Sequence, residues 1–433
     1  MLARSPRAFG GPVARGLLGV AIAVLITLAV AASSAAAANL SAAPAGDGTP
    51  PCPIADPCDL ATALGAAAAG DVVSALPGTY AVASVTVGAG VTLQGPGSGP
   101  PAVIAGDGSG VAAIVASGPE AGVRDLTVTQ RDFAAGVEIA AGALGDRLAV
   151  TASGAGAACS VPIGGLVRNS LCRAVGGGNG VLVDEDTAVS GGSRIVNVTA
   201  VSSSDEGVGA ALLVRSSLGA NLDVEATNTI AASLGGAPDI AVGALAGSTA
   251  DLQLERSNYA TLALVGGTAS ATEPGTGGNQ EAEPSFTGVS SGDFREAPDS
   301  PTIDAGTAAA AGLGFLDLLR NARIAGPAPD IGAYELQSRA PLPAVRIAGP
   351  HGVVKAKGRF VRVSFRLRSQ VAGASFRCRL DRSGAQPCSS PVSYRLRARR
   401  PQARHVLRVR AVDALGNRSP AAVARFRIVR RGA

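Results

Sequence analysis

Two hydrophobic rhythms divide the chain. Between residue 70 and about residue 265, short apolar-alternating segments recur, separated by Gly, Ser, Asn or Asp. Val123-Arg124-Asp125-Leu126-Thr127-Val128, Val167-Arg168-Asn169-Ser170-Leu171 and Ile195-Val196-Asn197-Val198-Thr199 are typical. Aligning the polar residue ahead of each strand-like run puts Asp125, Arg147, Asn169, Asn197 and Asn228 in one column, at steps of 22, 22, 28 and 31 residues. Such a period marks a solenoid. One unit is too small to bury its own apolar face, so neighbouring units must stack. Asn and Asp tolerate left-handed backbone and bond their own chain, which suits a bend repeated once per turn. Stacked Asn side chains are expected to bond one another along the axis. No helical pattern of comparable length intervenes, which argues against a doubly wound α/β fold.

From Pro343 onward the period is two, as in Val361-Arg362-Val363-Ser364-Phe365-Arg366-Leu367-Arg368 and Tyr394-Arg395-Leu396-Arg397. Strict alternation predicts strands buried on one face, and several of them in about 90 residues predict a small antiparallel β-sandwich. With the apolar set inward, nearly every strand presents arginine outward. Arg362, Arg366, Arg368, Arg395, Arg397, Arg408 and Arg410 are therefore the candidate binding residues, because guanidinium forks grip carboxylate and phosphate in bidentate fashion; the alternatives are a solubilising surface or docking onto the acidic coil of the same chain.

Charge sharpens the division. The region between the leader and Ala344 holds 12 basic against 30 acidic residues, whereas from Ala344 onward there are 22 basic and 2 acidic ones, so the net +5 conceals two oppositely charged bodies. Ser338-Arg339-Ala340-Pro341-Leu342-Pro343 lies at the switch and reads as a stiff linker. The chain has 58 Gly, no Trp and 3% aromatic residues. Small residues let flat sheets approach closely, which accounts for a core with few rings.

The N-terminus carries Arg4, Arg7 and Arg15, an uncharged run from Gly16 to Ala32, and a small-residue stretch ending at Ala38. This is the pattern of a secretory signal over residues 1–38; an uncleaved anchor is the alternative, for which the run is slightly short. No later apolar run approaches the length of a membrane span. The six cysteines form three local couples, Cys52 with Cys58, Cys159 with Cys172, and Cys378 with Cys388. Six cysteines allow 15 pairings; local pairing needs the least rearrangement, and export lets disulfides close. Zinc is a poor reading, since the only histidines are His351 and His405 and no couple has a two-residue spacer.

Some stretches resemble known families. Cys58-Asp59-Leu60-Ala61-Thr62-Ala63-Leu64, Gly70-Asp71-Val72-Val73 and Leu76-Pro77-Gly78-Thr79-Tyr80 resemble the entry of secreted bacterial right-handed parallel β-helix proteins of the pectin-lyase-like superfamily. Ser300-Pro301-Thr302-Ile303-Asp304-Ala305-Gly306, Asp317 to Arg323, and Asp330-Ile331-Gly332-Ala333-Tyr334-Glu335 resemble a terminal motif of such proteins, with Arg320 standing where that pattern has glycine. Phe376-Arg377-Cys378-Arg379-Leu380-Asp381, Pro387-Cys388-Ser389-Ser390-Pro391 and Val409 to Asn417 resemble a bacterial immunoglobulin-like module. The resemblance implies an all-β chain: a right-handed parallel β-helix over residues 50–337 opened by a short capping helix, a linker at 338–343, and an immunoglobulin-like β-sandwich over 344–433. It also places Cys378 and Cys388 on adjacent strands.

Coils of that superfamily often carry polysaccharide lyases and glycoside hydrolases. Hydrolysis needs two opposed carboxylates about 5–9.5 Å apart, and the candidates are Asp184 and Asp186, with Glu185 between them, and Asp205 with Glu206 about one turn on. Lyase chemistry needs a basic residue beside the substrate, and Arg124, Arg147, Arg168, Arg194 and Arg215 recur at turn spacing as a candidate stripe. The Asn-Thr-Asp, paired-Asp and His-Gly constellation of polygalacturonases is missing, as are nucleophile-elbow and phosphate-loop motifs. Asp299, Asp304, Asp317, Asp330 and Glu335 are either a structural cap or a Ca²⁺ site; no other cofactor is expected. The expectation is an exported, non-catalytic surface or matrix protein binding an acidic polysaccharide or wall polymer, with a lyase or hydrolase as the alternative. Specific nucleic-acid binding is not expected, for want of stacking aromatics.

Overall fold

The computed structural model describes residues 37–140, 142–203, 209–245, 247–337, 345–369, 373–398, 403–412, 419 and 421–430. Its first part is a stack of parallel turns. Gly122–Arg131, Leu144–Ser153, Leu166–Val175 and Gly191–Ser203 lie side by side, with Leu144 opposite both Gly122 and Leu166, and Leu166 opposite Arg194. A second sheet runs, in order, through Val85–Val87, Ile114–Ser117, Val137–Ala140, Cys159–Ser160, Val181–Glu185, Leu212–Ser216, Ile240–Ala244 and Leu262–Val265, all pairing in parallel. Each strand thus pairs with its counterparts one turn before and one turn after. Parallel pairs need a long return of chain, and here the remainder of each turn supplies it. Among the described residues the first strand of the stack is Asn39–Ala42, paired to Val72–Ala75, upstream of the residue-50 boundary read from the sequence.

The aligned polar column lies at a bend. Asp125, Arg147, Asn169, Asn197 and Asn228 all have positive φ, between 49 and 60°, and Arg256 continues the series at 50°. Left-handed backbone costs an L-residue about 1–2 kcal/mol, and the side chains of the aligned column bond a neighbouring turn or segment 302–336. Inside, Val123, Ile139, Leu148, Val150, Ile195 and Leu212 are fully buried, and Ala fills the narrow remainder. At the entry, Asp59 caps the helix Leu60–Ala66, accepting from the Thr62 amide at 2.9 Å. Cys52–Cys58, Cys159–Cys172 and Cys378–Cys388 are disulfides.

Segment 302–336 forms a strap over the bends. Asn228 Nδ2 donates to the Thr307 carbonyl at 2.9 Å, Asn169 Nδ2 to Leu313 at 3.2 Å and Asn197 Nδ2 to Asp330 at 3.2 Å. The Arg320 guanidinium reaches Asp125 at 3.0 Å, and Arg320 itself has φ of 65° at the position where the resembling motif has glycine. Among the asparagines of the column only Asn228 and Asn197 bond one another, at 3.3 Å, while Asn169 Nδ2 donates to Asp146 at 3.0 Å. The expected Asn stack is largely replaced by bonds to the strap and, for Asn169, to Asp146. Asn197 separates the two costs. Asn197→Gly keeps the bend and is expected to lose about 1–3 kcal/mol for the buried amide's bonds. Asn197→Ala should lose about 1–2 kcal/mol more for left-handed backbone. Chemical denaturation measures both; equal losses would remove strain from the account.

The C-terminal part is built differently. Val345–Ala348, Phe360–Ser369 and Val392–Arg397 form one antiparallel sheet. Gly352–Ala356, Ala422–Arg430, Ala403–Val412, Ser375–Leu380 and Gln386–Cys388 form a second, antiparallel except at its first pair. Val363, Phe365 and Leu367 from one sheet meet Leu407, Val409, Phe426 and Ile428 from the other in one buried cluster. Phe360–Ser369, Ala403–Val412 and Ala422–Arg430 bury alternate residues over most of their length, so the opposite set faces water.

Candidate polyanion-binding faces

The outward set is arginine on both sheets. On the three-stranded sheet, Arg362 stands opposite Arg395 and Arg346 opposite Arg368, with Arg366 and Arg397 on the same exposed side. On the second sheet Arg377 faces Arg410, Arg379 faces Arg408, and Arg404 faces Arg427. Directly opposed residues on antiparallel strands have Cβ atoms about 4.5–5.5 Å apart, and like charges there are destabilising. No described acid of the unit offsets them. Asp381, its one described acid, is taken by His405 Nδ1 at 2.7 Å and the Val406 amide at 2.8 Å. Among the described residues no carboxylate pairs with any of these arginines. Arg410 and Arg377 reach only the carbonyls of Ser419 and Ala385.

All seven arginines chosen from the sequence are exposed on these faces. Arg346, Arg377, Arg379, Arg404, Arg425 and Arg427 join them, as does Phe360, and the same alternation was the signal for each. Phe360 is 45% exposed, and the Arg395 guanidinium lies over its ring at 4.5 Å.

Of the coil's candidate catalytic acids, those on Val181–Glu185 and just beyond it are described. Asp184 is opposite Arg215 in register and is held by it in a bidentate pair. Glu185 accepts from Thr187, and Asp186 is exposed. Asp205 and Glu206 lie outside the described residues. The arginine stripe is not a stripe. Arg124 and Arg168 flank Asp146 in one column, but Arg194 falls opposite Leu166 and Arg215 lies in the other sheet. Arg147 is bound to Asp125 at 2.7 Å and to Asp146.

The terminal acids mostly serve the strap. Glu335 accepts from Arg323 at 2.8 Å and from the Ala325 and Asp330 amides. Asp330 accepts from the Asp304 and Leu336 amides, and Asp317 from those of Asn321 and Glu335. Among the described residues no three His, Cys, Asp or Glu side chains are grouped to hold a metal. A cavity of about 700 Å³ lies beside the strap, lined in part by Arg295, Asp304, Tyr334 and Glu335. The Glu335 oxygens are committed to Arg323 and two amides, while Glu296, whose oxygens have no partner, and Asp304 also line it.

Burial nonetheless shapes the strap's titration. It pushes Glu335 up to about 7 and holds Glu296 well above the usual carboxylate range, with Asp330 and Asp317 also raised. Both Glu296 oxygens are buried without a partner. Groups raised in this way bind protons more tightly folded than unfolded. Their stabilising share is complete below the ordinary carboxylate range and is lost as pH rises, through about 7 for Glu335 and from well above 4.5 for Glu296. Each group contributes at most about 1.4 kcal/mol per pH unit. Denaturant midpoints from pH 5 to 8 should therefore fall as pH rises, less steeply in Glu296→Gln. A flat profile, or equal slopes, would contradict this.

No family model matches the chain, and no curated protein matches it.

Proposed function

We propose that this chain is an exported right-handed parallel β-helix of the pectin-lyase-like kind, joined to an immunoglobulin-like sandwich. In this reading it works without catalysis at the cell surface or in a matrix, holding an acidic polymer on its arginine faces. The coil supplies a stiff acidic body and the sandwich supplies the grip. Support for the coil comes from the turn-by-turn parallel register and the left-handed column. Export is supported by the leader pattern and by three disulfides; among the described residues no helix is long and apolar enough to cross a membrane. The observation that carries the functional reading is the set of like-charged arginines placed opposite one another with no described acid between them. Such an arrangement costs stability when empty and is relieved by a bound anion. The catalytic alternative gains nothing from Asp184, which is neutralised by Arg215.

The test is direct. The full chain passed over immobilised heparin at low salt should be retained and should elute as salt rises, because counterion release makes such binding steeply salt-dependent. Free passage at low ionic strength would end the reading.

A further inference from the structure

The two arginine faces differ in one respect. Phe360 opens the strand Phe360–Ser369 on the outward side of the three-stranded sheet, opposite Arg397 and two residues from Arg362. A phenyl ring left 45% exposed on a face otherwise made mainly of arginine and serine is out of place for solubility. The Arg395 guanidinium lies over the ring at 4.5 Å, within cation–π reach. The second sheet has no comparable exposed ring among its described residues: Phe376 and His405 are only partly exposed, and Phe426 is buried.

We propose that the three-stranded face is a site for an acidic polysaccharide, in which a uronic-acid ring lies against Phe360 while its carboxylate and those of its neighbours are gripped by Arg362, Arg395 and Arg397. This inference rests on the polyanion reading and narrows it to one polymer class. A pyranose ring has an apolar C–H face that suits a phenyl surface, and a uronic acid carries its charge on that same ring. Seating the ring therefore delivers its carboxylate to guanidinium groups one strand away, about 4.8 Å, or two residues along, about 6.8 Å. A polyphosphate has no ring to seat. A single-stranded nucleic acid reads through successive aromatic platforms, and this face offers one.

The experiment compares three probes, polygalacturonate, inorganic polyphosphate and oligo(dT), on the full chain at matched low salt. Phe360→Ala should weaken polygalacturonate about tenfold and change polyphosphate less than twofold. Phe360→Trp should restore polygalacturonate binding, and Arg395→Gln should weaken both polygalacturonate and polyphosphate. Melting of each variant checks the fold, and Phe360→Leu, which keeps the buried edge but removes the ring, replaces any variant that fails to melt cooperatively. Equal loss on polygalacturonate and polyphosphate, or no loss on either, overturns the inference and leaves the polyanion reading standing. A loss on oligo(dT) as large as that on polygalacturonate assigns the ring to bases and overturns it too. If the unaltered chain holds none of the probes, both readings fall.

Discussion

Arg323→Leu is expected to destabilise the strap by about 3–5 kcal/mol, the cost of leaving one member of a buried ion pair alone. Arg323 is 1% exposed and donates to the carbonyls of Gly332 at 3.0 Å, Asp330 at 3.3 Å and Tyr334 at 2.6 Å, and to Glu335 at 2.8 Å. Its loss strands the Tyr334 carbonyl and a carboxylate that still organises two amides, and leaves the Asp330 and Gly332 carbonyls with Asn197 alone. The consequence should be local at first. The strap covers the cluster of Leu171, Val201 and Phe294, to which Leu318 and Tyr334 contribute, so opening it exposes that cluster and the bends beneath. Hydrogen exchange should therefore accelerate across 302–336 while the inner strands, such as Leu166–Val175, stay protected. Pairing the change with Glu335→Leu removes the stranded charge, and the double variant should regain part of the loss. Arg323→Lys should not rescue, since one ammonium cannot serve four diverging acceptors. A single variant within about 1 kcal/mol of the parent would show that the strap is held by its bonds to the bends alone.

What the sequence disclosed follows from which forces act locally. The left-handed column was legible because Asn and Asp are the residues that tolerate that backbone. Arg147 entered the column by spacing, and Arg256, 28 residues beyond Asn228, repeats a step already present. The terminal motif was also visible. Its seat was not, because Arg168 and Asn169 meet the strap across 144 residues of chain, and no local pattern encodes a contact that distant. The arginine stripe failed for a related reason. Turns of 22, 28 and 31 residues carry loops of different length, so similar spacing along the chain does not put residues in one register column. Asp184 looked like a free acid until the pairing of Val181–Glu185 with Leu212–Ser216 placed Arg215 beside it. The sandwich faces were the reverse case. A period of two determines which side a residue faces whatever the topology, so the exposed arginines could be named before their partners were known. That they oppose one another across strands required the register.

That opposition leads to the second large effect. Replacing Arg346, Arg362, Arg368 and Arg395 together with threonine should make the sandwich more stable and the protein a poorer binder. The two cross-strand pairs, Arg362 with Arg395 and Arg346 with Arg368, are each destabilising by about 0.2–1 kcal/mol, and threonine suits an exposed strand. Removing both pairs should raise the melting temperature at low salt, and the gain should shrink as salt screens the repulsion in the parent. Binding should move the other way. At about 1 kcal/mol per surface arginine against an anionic surface, four substitutions cost about 10³-fold in affinity. The slope of log affinity against log salt should fall by about 3, since each arginine removed from a flexible single-chain polyanion accounts for about 0.7. Opposite signs for stability and binding are the signature of charges kept for a ligand rather than for the fold. If the quadruple variant melts lower and binds as before, the arginines serve the sandwich itself, and the polymer loses its claim on this face.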